Sequence, residues 1–222
     1  MHYYKLKEAC GTEETGPNYP QTDGMVGDYD FNSKDSIYQL NVNTIPNTIT
    51  DFGIIKLAHS SNLTDIISTA LISSAGLIVS EKVKNIFEQY SIQKSIYIKL
   101  KIQHKNRIID SNYYRLFIET ENQTKRIDYV NSKFYISQFG NDRGDVEVKS
   151  EDDFVKKSGE VQSIYNWSYI VPKFLTFRSN GLDLFTYPMG LGLIITTRLK
   201  NELVDNAITG IKFDELENAE II

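Results

Sequence analysis

The sequence predicts an α+β fold: a mixed or mainly antiparallel sheet with a few helices, containing two similar strand-cap-helix units. Three observations lead there. Period-two apolar alternation recurs in many short segments and helical periodicity in few, without the strict alternation of a doubly wound sheet. At 222 residues and 41% hydrophobic, the chain can bury one sizeable core, as a single domain over residues 1–222 or as two related halves, about 1–110 and 111–222. Finally, GLIVSEKVKNIFEQYSI at 76–92 returns as GLIITTRLKNELVDNAI at 192–208, with the same Gly, Leu, Ile, Lys, Asn and Ile in register.

Taken in order, residues 2–7 alternate around Tyr3 and Tyr4 and predict an opening strand. Residues 11–35 hold Pro17, Pro20, Gly24 and Gly27 without periodicity; a loop of this length inside a compact domain is usually functional or disordered. Residues 36–42 and 53–57 read as short strands, with Pro46 between them. Leu63, Ile66, Ile67, Ala70 and Leu71 recur at helical spacing and predict a helix over 62–73.

The first copy of the repeat follows. Leu77, Ile78 and Val79 are β-prone, Ser80 is a suitable N-cap, and Val83, Ile86, Phe87 and Tyr90 form a helical stripe. Next, Ile96, Ile98, Leu100 and Ile102 alternate with Tyr97, Lys99, Lys101 and Gln103, a half-buried strand with one basic face. Strands are predicted at 113–120, 134–139 and 146–148, with a polar turn at Gly140-Asn141-Asp142. Ser150 and Asp153 resemble a capping box opening a short helix that Gly159 closes. Further strands at 174–177, 182–187 and 192–195 lead into the second copy, capped by Thr196 or Thr197, with Leu199 and Leu203 inward and the helix ending near Gly210. Glu202 and Asn206 replace Ile86 and Tyr90, so the second helix is expected to be less buried. The tail from Asp214 is acidic.

Composition narrows function. The net charge of -5 disfavours general nucleic-acid affinity and suits a protein that receives a basic partner. No apolar run approaches the roughly 20 residues that span a bilayer, and residues 1–10 lack a signal-like stretch, so a cytoplasmic, membrane-free protein is expected. One cysteine, Cys10, makes no internal disulfide and has no local signature of a nucleophile. Three scattered histidines lack ligand spacing, and neither a metal nor another cofactor is expected. Gly190-Leu191-Gly192 precedes a strand and reads as a turn rather than a dinucleotide fingerprint. Asp51, Asp65, Asp110 and Asp128 are a poor basis for a hydrolase, and Arg143-Gly144-Asp145 reads as a tight polar turn. Lys99, Lys101 and Lys105 with Tyr97 offer an alternative: a module binding an anionic ligand or nucleic acid through a basic strand face, weighed against a solvated, edge-protecting face.

MHYYKL at the start, TDIIS from Thr64, LIVSEKVKNIF, RIDYVNSKF from Arg126, LDLF from Leu182, and LIITTRLKNEL ending in ITGIKF follow one another in an order that resembles family eleven of the bacterial polymorphic-toxin immunity proteins, formerly a domain of unknown function. The resemblance spans most of the chain. It implies a non-enzymatic protein that binds and neutralises a cognate toxin, and it brings no catalytic residues. Such an inhibitor needs aromatic anchors and complementary charge. From residue 8 to 31 the chain carries six acids and no Lys or Arg, so Tyr19, Asp28, Tyr29, Asp30 and Phe31 are the expected contact residues, with Asp142 and Asp145 as a second patch.

Overall fold

The structure is a computed structural model that describes residues 2–27, 30, 32–33, 53–71, 76–120, 123–190 and 192–222. The predicted strand at 36–42 lies outside the described residues. The fold is α+β, and its contacts gather into two compact units: Met1–Glu121 with Gly181–Glu215, and Asn122–Asn180 with Leu216–Ile222. No helix among the described residues is long and apolar enough to cross a membrane.

The first unit holds two sheets. In one, β1 (Tyr3–Glu8) lies antiparallel between β12 (Leu193–Thr196) and β13 (Ile211–Glu215), and β11 (Leu184–Thr186) pairs with the outer side of β12. The other has the order β2 (Thr22–Met25), β3 (Ile54–Leu57), β6 (Ser95–His104), β7 (Arg107–Ile118), β5 (Gly76–Ser80), β4 (Ile66–Ile67), antiparallel except where β3 runs parallel to β6. The alternation read in β6 holds: Ile98, Leu100 and Ile102 are buried, while Lys99 and Lys101 are exposed.

Both copies of the repeat fold as strand, cap and helix, and both lie in this unit. β5 feeds α1 (Glu81–Phe87), where the Ser80 hydroxyl accepts the Val83 N–H; β12 feeds α3 (Thr197–Asp205), where the Thr196 hydroxyl accepts the Leu199 N–H. These caps satisfy amides that a helix start otherwise leaves orphaned. Val83, Ile86 and Phe87 are buried on α1 but only Leu199 and Leu203 on α3, the difference expected from Glu202 and Asn206. All five join one core with Leu6, Leu116, Ile118, Leu184 and Ile195. Burying each such side chain contributes roughly 1.5–3 kcal/mol. Gly76 and Gly210 are required by close approach: a Cβ on Gly76 (φ 129) would lie 1.9 Å from the Leu116 carbonyl oxygen, and one on Gly210 (φ 77) 2.0 Å from that of Ile66.

In the second unit, β8 (Lys133–Gln138) and β9 (Asn141–Val146) form a hairpin, and β8 pairs antiparallel with β10 (Ser168–Phe177), which β14 (Ala219–Ile221) joins in parallel. α2 (Glu151–Ile164) packs on one face of this sheet, with Phe154 5.9 Å from Phe134 and 6.2 Å from Tyr129, ring to ring. Ser150 caps α2 by accepting the Asp153 N–H at 3.1 Å, and Asp153 in turn accepts the Lys149 N–H at 2.9 Å. Ser150→Ala is expected to destabilise this unit by about 1 kcal/mol, read as a lowered urea midpoint.

Residues 62–71 are not helical. Ile66 and Ile67 pair with Val79 and Ile78, so long-range strand pairing overrides a spacing that fitted a helix. Nor does α2 stop at Gly159: that glycine is exposed and crowds nothing, so the helix tolerates it and runs to Ile164. The segment read as a loop contains β2. Arg143-Gly144-Asp145 lies in strand β9, with the turn one step earlier at Phe139 and Gly140. Ile211 and Phe213 alternate with charged residues in β13, which runs into the tail as far as Glu215, and the tail also supplies the three-residue β14, too short to show a period. Gly190 and Gly192 do belong to a turn, in which the Tyr187 N–H donates to the Gly192 carbonyl at 2.7 Å.

Candidate protein-binding face

The acidic segment is less free than its sequence implies. Gln21 donates to the Asn62 carbonyl at 2.8 Å and accepts the Ser68 N–H at 3.0 Å, and Asn62 donates to the carbonyls of Glu13 and Glu14. Gly16 touches the chain at Ser60 so closely that no side chain would fit. Three of the acids serve the fold: Glu14 accepts the Gly210 N–H at 2.7 Å, Asp23 pairs with Lys56 at 2.9 Å, and Glu8 is drawn inward toward Arg115. Of the expected contact residues, Tyr19 is 69% exposed, and Asp30 is exposed with its carboxylate accepting the Asn32 N–H. Asp28, Tyr29 and Phe31 lie outside the described residues.

Asp142 and Asp145 are brought together on β9. Lys173 of β10 reaches both, at 3.7 and 3.2 Å, and the hydrogen bond from its ammonium to Asp145 raises its pKa. The pair of carboxylates therefore presents less negative charge than its sequence suggests. Register explains the grouping: Asp142 is opposite Ser137, itself opposite Tyr169, and Asp145 is opposite Tyr135, itself opposite Val171. Cross-strand partners share a face. This row lies on the side of the sheet away from α2, because Phe134 and Ile170 face the helix.

At the end of that sheet stands a feature that sequence reasoning missed. The last ladder pair, Ser168 with Gln138, leaves Phe139 and Trp167 as the next residues on adjoining strands. Phe139 is 71% exposed and Trp167, the only tryptophan in the chain, is 70% exposed; Ile164, Tyr165 and Tyr169 nearby in the chain are also exposed. Both Phe139 (φ 51) and Trp167 (φ 61) have left-handed backbone conformations. At Phe139 this conformation belongs to the two-residue Phe139-Gly140 turn of the hairpin, where both central residues need a positive φ, and a bulky residue in this region costs about 1–3 kcal/mol. Its sequence signal is the period-two spacing of Tyr165, Trp167 and Tyr169, which a helix ending at Gly159 does not bring into view.

Exposed rings such as these, with Tyr169 in the same cross-strand row as Asp142, offer rigid apolar area together with charge, a combination suited to protein-protein recognition. Among the described residues, no three His, Cys, Asp or Glu side chains cluster as a metal ion requires. His104 is instead held to the Ser61 carbonyl at 2.8 Å, His2 lies 2.9 Å from Glu215, and Cys10 is exposed. No protein-family model matches the sequence, and no curated protein matches it.

Proposed function

We propose that the chain is a non-enzymatic immunity protein that binds a cognate bacterial toxin in the cytoplasm and blocks it by covering its surface. The observation that carries this reading is the exposed aromatic end of the second unit, Phe139 and Trp167 with Tyr165 and Tyr169, bordered by Asp142 and Asp145. The order of sequence motifs that resembles the immunity family supports it independently. Burying two large rings and desolvating their surroundings supplies affinity, while Tyr19, Asp30 and the negative balance of the chain favour encounter with a basic partner. Co-expression with the product of the adjacent gene tests the proposal. A stable complex and relief of that product's toxicity are expected; a toxic neighbour that neither binds nor is neutralised would refute it.

A second reading, a module for an anionic ligand or nucleic acid, draws on the basic strand face. Ile54 of β3 lies beside Lys101 and Lys56 beside Gln103, so Lys56, Lys99 and Lys101 share one side of the sheet. That side continues into a cleft of about 140 Å3 lined by Lys56, His59, Gln103 and Lys105. Asp23 also lines the cleft and pairs with Lys56, which weakens its attraction for anions. Oligonucleotide binding that falls with salt and is lost in Lys99→Glu/Lys101→Glu would favour this second reading.

A further inference from the structure

The repeat extends further in space than in sequence. Each copy is preceded by a short strand led by an aspartate, in Asp65-Ile66-Ile67-Ser68 and Asp183-Leu184-Phe185-Thr186. Ile66 of β4 lies opposite Val79 of β5, and Leu184 of β11 opposite Ile195 of β12. In both places the aspartate carbonyl accepts the N–H of the helix cap, 2.7 Å from Ser80 and 3.0 Å from Thr196. One carboxylate oxygen also accepts the cap hydroxyl, at 2.7 Å and 2.8 Å respectively. Each cap is thus held by its own copy's aspartate.

The other carboxylate oxygen reaches across. Oδ2 of Asp65 accepts the N–H and hydroxyl of Thr209, at 3.1 and 3.0 Å, and Thr209 follows α3. Oδ2 of Asp183 accepts the N–H of Ser91 at 3.2 Å, and Ser91 follows α1. Backbone bonds make the same crossing: Ile66 N–H donates to the Thr209 carbonyl at 3.0 Å, Asp183 N–H to that of Ser91 at 2.6 Å, and Gln93 N–H to that of Leu184 at 2.8 Å. The helices repeat it. Lys82 donates to the Asn206 carbonyl at 2.6 Å, while Arg198, its counterpart in the second copy, lies over the Tyr90 ring at 5.0 Å, Tyr90 being the counterpart of Asn206. The tails differ in register by two residues, since Ser91 corresponds in sequence to Ala207 rather than to Thr209.

We infer that Asp65 and Asp183 are reciprocal latches of an exchanged repeat, each securing the start of its own copy's helix and the segment that follows the other copy's helix. Neither helix end then opens without disturbing the opposite copy, because the freed amides and hydroxyls lose partners in a partly buried setting. Burial alone would raise the pKa of Asp183, but hydrogen bonds from Arg198, Thr196 and Ser91 hold it below the ordinary carboxylate value, as expected of a carboxylate used on both oxygens.

Amide hydrogen exchange on the full chain tests the crossing. Asp183→Ala is expected to speed exchange at residues 91–93 at least tenfold more than at 207–209, and Asp65→Ala to do the reverse, at Thr209 and Gly210. Acceleration confined to the tail of the substituted copy, or equal in both tails, would overturn the inference. Thr209→Val, which exchanges only a hydroxyl for a methyl, covers the case in which an aspartate variant does not fold: exchange should rise at Asp65 and Ser80 of the first copy, and a change limited to residues around 209 would again count against it.

Discussion

Trp167→Ala is expected to weaken binding of the partner protein by about 30-fold or more, roughly 2 kcal/mol, while leaving thermal stability almost unchanged. The ring is 70% exposed, so removing it opens no cavity in the core, whereas in a complex it would be among the most deeply desolvated groups. Phe139→Ala should behave alike. A sharper form uses the backbone. Because Phe139 and Trp167 have φ of 51° and 61°, glycine at either position removes strain as well as the ring. Phe139→Gly is therefore expected to raise stability by about 1 kcal/mol, some 2–4 °C in Tm, while abolishing most of the binding. Stability and affinity moving in opposite directions would mark these residues as held for recognition. Loss of both together would mark them as structural.

Arg115→Ala is expected to have the largest effect on stability, a loss of roughly 3–5 kcal/mol in a urea titration. Arg115 sits in the middle of β7, 1% exposed, between Ile78 on one neighbouring strand and Ile98 on the other, and its charge interacts with Glu8 of β1. Burial pushes Glu8 up to about 7, against the opposing pull of Arg115 and of a hydrogen bond from the Thr69 N–H, and burial lowers Arg115 to about 10. The folded carboxyl thus binds its proton more tightly than the unfolded one, whose pKa is 4.5. Stability from this group is fully present below pH 4.5 and is lost as pH rises through about 7, on the order of 3 kcal/mol in all. Arg115→Ala should move that window upward, since the charge that favours ionised Glu8 is gone. Glu8→Leu/Arg115→Met, which replaces both ionisable groups by apolar ones, should be far less harmful than Arg115→Ala and should flatten this part of the profile. A double variant as unstable as the single one would contradict this assignment.

What the sequence made legible follows from what local pattern can encode. β6 was readable because one face is buried and the other solvated, which imposes alternation. The strand-cap-helix units were readable because Ser80 and Thr196 stand at the one position where a hydroxyl completes a helix start. Ile66 and Ile67 were misread because two apolar residues fit a helical stripe as well as a two-residue strand, and the partners that decide, Val79 and Thr209, lie 13 to 143 residues away in the sequence. The candidate face was half legible. Asp142 and Asp145 stand out by their charge, but nothing near them in sequence reveals Lys173 as their partner, and the aromatic period in residues 165–169 emerges only once α2 is seen to run to Ile164. In the acidic segment, Glu8, Glu14 and Asp23 looked like surface charge because nothing in their neighbouring residues reveals Arg115, Gly210 or Lys56 as their partners.

A hydrogen-exchange footprint of the protein with and without the adjacent gene's product locates the binding face. Slowed exchange at residues 139–145 and 165–169 of the second unit is predicted. A complex whose protection falls only on the first unit, leaving those two segments as in the free protein, would contradict it.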